Sequence, residues 1–447
     1  MPIGNACIHS QANACITVAT TRELAQISGL FTENSVESVA CVAALPSAEL
    51  NKGRMIFVND ISAYRYSNGT SWTNDYDTTC SVAASSIYSW GYSSSTGGQI
   101  GDNTIIPRSS PVQEITSSTN WCQLGGGGYH SIAIKSDNTL WGWGCNHLGQ
   151  LGINSTINYS SPVQEFYSET TWVCAFGGTG LTHALKNDGT FWAWGDNVYG
   201  NLGTDNIICY SSPVQEITSS TNWCTIGGAK GAIKTDGTLW TWGSNNNGQV
   251  GDGTNICRSS PVQEASSSTN WCLISGNESN TVTVGIKTNG TYWNWGYNLY
   301  GNLGINTGGG LTNSSSPVQE ITSSTNWCAG NESGGIKTDG TLWTWGRGNY
   351  GNANGCCKCY SSPVQEITSS TNWCFYTQGS SNRHGLKSDG TLWSWARGSN
   401  GFHGVNDTIN RSSPVQEITS STGWSDIASS GFHVNAILDV VTGFNEP

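Results

Sequence analysis

Residues 109–122 read SSPVQEITSSTNWC, and the same letters begin again at Ser211, Ser315 and Ser361. Their centre, SPVQE, occurs seven times, with its proline at Pro111, Pro162, Pro213, Pro261, Pro317, Pro363 and Pro414. Successive prolines lie 51, 51, 48, 56, 46 and 51 residues apart. A period of this size marks a repeat architecture, in which each unit buries its apolar surface against its neighbours. A second signature keeps step with the first: WxWG-like strings ending on the indoles of Trp90, Trp143, Trp194, Trp242, Trp295, Trp345 and Trp395. Seven of one and seven of the other fix the copy number.

Each unit reads as short strands and tight turns. Ahead of the indole pair stand Asp137-Asn138, Asp188-Gly189, Asp236-Gly237, Asn289-Gly290, Asp339-Gly340 and Asp389-Gly390, dipeptides that supply the positive φ angles of a two-residue hairpin turn. In the strand that follows, side chains alternate, so both indoles share one face. The residues between them, Gly142, Ala193, Thr241, Asn294, Thr344 and Ser394, are mostly small. Large rings on one face and small groups on the other suit sheets stacked face to face, as propeller blades are. A buried indole removes about 150–250 Å² from water, and a chain this poor in aliphatic residues needs that burial; Trp90, Trp143, Trp194, Trp242, Trp295, Trp345 and Trp395 are therefore assigned to the core rather than to sugar stacking.

The chain ends point to a closed ring. The last unit starts at Trp424 and lacks a WxWG strand, whereas the first such strand, Ile87-Tyr88-Ser89-Trp90-Gly91, lacks the front of a unit. Joined, the two fragments make a seventh blade and hide the open sheet edges. The expected fold is all-β: a seven-bladed β-propeller over 79–447, closed by N- and C-terminal strands and preceded by a small attachment region, 1–78.

Composition narrows the function. The 447 residues carry a net charge of -12, and 11% are charged, against about 25% in ordinary soluble domains. Nucleic-acid coating needs Lys and Arg clusters that this chain lacks. No stretch reaches the roughly 18 apolar residues of a membrane span, and the first residues lack the basic and apolar regions of a secretory signal. No nucleic-acid partner, membrane insertion or cofactor is expected.

The run from Tyr129-His130-Ser131-Ile132-Ala133-Ile134-Lys135 through Trp143-Gly144 to Gly149-Gln150-Leu151-Gly152, followed by a loop and SSPV, resembles the repeats of the regulator of chromosome condensation (RCC1-like) family. The resemblance covers about residues 79–441 and implies a seven-bladed propeller. The family's founding activity is nucleotide exchange on a nuclear GTPase, and none of its residues maps onto this chain. Further forward, GRMIFVND at Gly53 and YRYSNGTSWT at Tyr64 resemble small β modules near the N-termini of bacteriophage tail-fibre and other virion proteins. A helix from Thr21 to about Ser28 and a hairpin bent at Asn68-Gly69 are expected there.

Chemistry is sparse. The seven histidines fall in different registers, so they form no ring of imidazoles, and zinc needs ligands at short fixed spacings. The glutamates Glu114, Glu165, Glu216, Glu264, Glu320, Glu366 and Glu417 read as solvated residues loosely paired with the lysine of each unit rather than as a cation ring. No catalytic triad or carboxylate pair stands out, so no enzyme is expected. Three units pair cysteines 15 residues apart, Cys209 with Cys224, Cys257 with Cys272 and Cys359 with Cys374. Disulfides there would close loops worth about 3 kcal/mol each; the other reading is free thiols filling small apolar gaps.

Between units the scaffold letters barely change, while two loops diverge. One follows the Trp-Cys pair and the other precedes SSP, and divergent loops on a rigid scaffold suit recognition. Tyr129, His130, Asn277, Arg383 and His384 are the ligand-binding candidates. The combined expectation is a virion protein, a tail fibre, decoration or receptor-binding component. It would bind other virion proteins through 1–78, act as a homo-oligomer, and meet a host surface receptor or glycan. The alternative is a cellular, secreted or surface-exposed propeller serving as an adhesin, inhibitor or interaction module.

Overall fold

A computed structural model describes residues 84–93, 97–228, 231–276, 281–306, 312–347, 359–379 and 382–440, together with the backbone of four short strands nearer the N-terminus. The chain divides into two compact units whose main parts are Val18–Ser81 and Val82–Pro447. In the smaller unit, Ser38–Val39 runs parallel to Met55–Val58, which pairs antiparallel with Ala63–Ser67, which in turn pairs with Trp72–Thr73. The expected helix and the Asn68-Gly69 turn lie outside the described residues.

The larger unit is seven four-stranded antiparallel sheets. In blade one the strands are Trp121–Gly126, His130–Lys135, Leu140–Gly144 and Tyr159–Gln164, from inner to outer. Blades two to six repeat this meander over 172–215, 223–263, 271–319, 327–365 and 373–416. Blade seven is composite: Trp424–Ser429 and His433–Val440 supply its inner half, Ala84–Gly91 and Arg108–Gln113 its outer half. The seam is a continuous ladder from His433 opposite Gly91 to Val440 opposite Ala84. Each inner strand packs against the inner strands on either side, the last against the first, which closes the ring.

The blades join through indoles. The second Trp of each WxW string is wholly buried, and in six of the seven its Nε1–H donates to a carbonyl in the preceding blade's third-to-outer loop: Trp143 to Gln99, Trp194 to Gln150, Trp242 to Asn201, Trp295 to Gln249, Trp345 to Asn302 and Trp90 to Phe402, at 2.8–3.0 Å. Glycine is required where that loop meets the ring. At Gly152, whose φ is +70°, a Cβ would sit 2.8 Å from Trp194 Nε1.

The glutamates are not solvated. All seven are 1% exposed, and each ends its outer strand by accepting hydrogen bonds. Glu216 takes the backbone N–H groups of Thr218 at 2.6 Å and Ser220 at 3.0 Å, and the Nε1–H of Trp223 at 3.2 Å. The same indole bond recurs in every blade at 3.0–3.4 Å. A buried carboxylate is tolerable because its lone pairs are filled by donors. The lysines lie between rings instead: Lys135 Nζ is 4.6 Å from the centre of Trp121 and 4.3 Å from that of Trp141, and Lys186, Lys234, Lys287, Lys337 and Lys387 repeat the arrangement. Blade seven replaces it with Leu438 and an edge-on Tyr88–Trp424 contact.

Replacing Glu216 with Ala removes the acceptor of two backbone N–H groups, the Thr218 hydroxyl and the Trp223 indole N–H, and urea unfolding is expected to show a loss of roughly 2–4 kcal/mol. The half-exposed neighbour Ile217→Ser is expected to change stability by less than about 1 kcal/mol. Equal effects from the two substitutions would contradict the capping role.

Candidate functional site

In a four-stranded meander, the loops after the first and third strands share one end. The inner-to-second loop and both ends of the third-to-outer loop therefore gather on one face of the ring. The Asp-Gly turns and the outer-to-inner links gather on the other. The divergent loops thus lie on one face and the nearly invariant connections on the opposite one. The chain enters the propeller at Ala84 and its last described strand ends at Val440, both at the invariant end.

The predicted ligand residues divide. Tyr129 is half-buried on the divergent face, its ring stacked on Phe432 at 4.6 Å and 19°, with Tyr92 6.1 Å beyond. His130 and His384 are fully buried and do not face a ligand, because the adjacent strands enclose the start of the second strand. His130 Nε2 lies 3.0 Å from Thr182 Oγ1 of blade two, and His384 Nδ1 lies 2.8 Å from Ser394 Oγ. Burial depresses both imidazoles to about 3. Arg383 is also buried, donating from Nη2 to the Arg347 carbonyl at 2.8 Å and from Nε to Gln378 Oε1 at 3.3 Å. Asn277 lies outside the described residues.

The paired-cysteine reading is corrected. Cys209, Cys224, Cys257, Cys272 and Cys359 are free thiols, whereas Cys374 is disulfide-bonded to a residue outside the described set. Cys209 Sγ accepts the Asn197 N–H at 3.4 Å, the task that Asn158 Oδ1 performs for Asn146 in blade one. Cys224 occupies a bulge in its strand and donates to the Ile233 carbonyl at 3.4 Å. Each sulfur therefore serves its own loop or strand.

Two features escaped the sequence reading. The inner strands line a cavity of about 90 Å³, and Asp426 lies on its wall at the strand position that the other blades fill with Gln123, Cys174, Thr225, Leu273, Ala329 and Phe375. Its carboxylate accepts the Leu124 N–H of blade one at 3.1 Å and the Ile427 N–H at 2.8 Å. Burial, with Asp439 nearby, raises it to about 6. The second feature is Ala396. Six blades carry glycine where the third strand ends, Gly91, Gly144, Gly195, Gly243, Gly296 and Gly346, all at positive φ; blade six holds Ala396 there at φ +78°. Alignment of the units exposes the alanine.

Acid and base pull stability in opposite directions at these sites. A histidine held at about 3 in the fold and near 6.5 when unfolded contributes stability above pH 6.5 that is lost as pH falls towards 3. Asp426, raised to about 6, contributes stability below about pH 4 that is lost as pH rises through 6. The Asp426→Asn variant is therefore expected to gain on the parent as pH rises from 4 to 6 in denaturant titrations; parallel stability curves would refute this. Ala396→Gly removes left-handed strain and is expected to raise stability by about 1 kcal/mol in urea; a loss would contradict it.

An RCC1 repeat profile (regulator of chromosome condensation) matches residues 137–185 and 236–283, and a second profile of the repeat matches 121–150. The ultraviolet-B receptor UVR8 of Arabidopsis thaliana is 32% identical over 138 residues, 30% of this chain and 31% of that protein. The probable E3 ubiquitin-protein ligase HERC6 of Homo sapiens is 30% identical over 156 residues, 34% of this chain and 15% of that protein. The chain thus spans less than a third of the length of these relatives. Among solved structures, Prp20p from Saccharomyces cerevisiae matches with a TM-score of 0.70 at 17% identity, covering 82% of this chain and 95% of its own. Human WBSCR16 matches with a TM-score of 0.67 at 16% identity, covering 80% and 100%. Residues 84–440 form a seven-bladed β-propeller that carries RCC1 repeats over 121–185 and 236–283 and shares its fold with RCC1 structures.

Proposed function

We propose that this chain is a non-enzymatic recognition scaffold carried on a phage or virus particle, as a tail fibre, decoration or receptor-binding component. Residues 1–78 attach it to other virion proteins as a homo-oligomer, and the propeller meets a host surface receptor or glycan. The observation that carries the scaffold reading is the separation of faces. Loops that differ between blades gather at one end of the propeller, while the strand that enters it begins at the opposite end. The virion carrier is supported by the likeness of residues 53–73 to virion β modules.

Chemistry at the buried imidazoles favours binding over catalysis. His433 lies 2.7 Å from both Ser131 Oγ and Ser430 Oγ. The contact is fully buried, and desolvation holds this imidazole at about 3, far from the near-neutral value a general base needs. A cellular interaction module is the second reading, favoured by relatives that are plant, human and yeast proteins.

Particle purification followed by mass spectrometry separates the two. Constant stoichiometry with particles through successive gradients, lost on deleting residues 1–78, is expected for a virion component. Recovery confined to cell fractions would remove the virion reading and leave the cellular module.

A further inference from the structure

The first strands of all seven blades contribute to the wall of the central cavity. Each begins at a Trp and runs from the invariant end towards the divergent face, so the wall is built in tiers. Two residues past the Trp stand Gln123, Cys174, Phe375 and Asp426, from four adjacent blades. Four residues past it stand Ser275, Asn331 and Thr377, about 7 Å nearer the divergent face at the usual rise of a strand. Gly126, Gly228 and Ser429 end the wall on that side, and such small residues obstruct approach least.

Asp426 performs a task that needs no charge. Its Oδ2 accepts the Leu124 N–H of blade one at 3.1 Å, and Gln123 Oε1, at the same strand position, accepts the Ala175 N–H of blade two at 3.1 Å. A neutral amide therefore suffices to tie one inner strand to the next. The carboxylate adds a negative charge, and the described residues of the wall include no lysine, arginine or histidine. The N–H groups of Leu124 and Ile427 fill two acceptor positions, of roughly four that a carboxylate offers. Burial, with Asp439 nearby, raises the group to about 6, so at neutral pH it is mainly ionised, and a buried charge is costly unless it is paired.

The wall selects the kind of cation that matches this charge. Calcium takes about six to eight oxygen ligands, whereas the wall carries one carboxylate. Among the described residues no three His, Cys, Asp or Glu side chains are grouped to hold a metal ion. Phe176, Ile226, Ile274 and Phe375 give the cavity apolar surface instead. Such surface suits methylene groups, and aromatic rings attract ammonium. Volume sets the length: a cavity of about 150 Å³ holds benzene, so one of about 90 Å³ admits roughly four non-hydrogen atoms.

We propose that the central cavity binds a short primary ammonium group, drawn to Asp426 with its methylene stem against the Phe and Ile side chains. A free alkylamine and the end of a lysine side chain offer the same chemistry. The site goes beyond the recognition reading, because it depends neither on what carries the propeller nor on what its rim loops contact.

The test is isothermal titration calorimetry on the full chain at neutral pH. The probes are propylammonium, propan-1-ol as its neutral isostere, sodium chloride at matched ionic strength, and Nα-acetyl-lysine amide. So few atoms limit the dissociation constant to about 0.1–10 mM. Expected are saturable binding of propylammonium and binding of propan-1-ol weaker by at least about tenfold. A similar loss is expected in Asp426→Asn, whose amide oxygen still accepts the Leu124 N–H. Should that variant melt early, Ser429→Leu decides, since it narrows the divergent end, leaves the carboxylate in place and is expected to weaken binding as much. Tighter binding of the lysine amide assigns the site to a partner's side chain, and tighter binding of propylammonium assigns it to a free amine. Equal affinity for propan-1-ol, a response matched by sodium chloride, or unchanged binding in either folded variant overturns the site.

Discussion

A carboxylate that has left water, at the corner where one blade passes the chain to the next, is the constraint on which the ring depends. Glu114 and its six equivalents are buried, and burial is affordable only because the following turn and an indole supply donors. The turn is thereby fixed, the inner-strand tryptophan is oriented, and the space between that ring and the next indole admits one lysine. Capped turns, indoles and lysines held between rings reinforce the aliphatic residues of each blade's core. The arrangement also accounts for the low charge content, since many of the charged groups present are inside the fold.

The repeat strings alone specified the number of blades and the closing of the ring, because seven prolines, seven indole pairs and two incomplete ends admit few arrangements. The glutamates were misread because an acidic residue after a strand ordinarily faces water, and the indole it holds lies seven residues on, around a turn that periodicity does not describe. His130 and His384 were misread for a related reason. Proximity to a divergent loop was visible in sequence, whereas enclosure by neighbouring strands was not. Cys209 and Cys224 show the limit of spacing arguments, since a hydrogen bond to Asn197 and a strand bulge occupy sulfurs that looked matched.

Ala396 and Leu438 are departures from patterns that the chain itself defines six times over, glycine at the end of the third strand and lysine at the end of the second. A near-perfect repeat supplies its own reference, so each deviation stands out without any related sequence. Scaffold positions that drift freely would scatter such deviations. Here the closing leucine falls in the composite blade and the strained alanine in the blade before it.

The composite blade also decides how the molecule carries mechanical load. Force applied at Ala84 and opposed at the divergent face runs along the strands in opposite directions. The ladder between Ala84–Gly91 and His433–Val440 is then loaded in shear, with its hydrogen bonds sharing the force instead of parting one by one like a zipper. The joint that a linear chain needs to become a circle is therefore oriented as a tensile clasp.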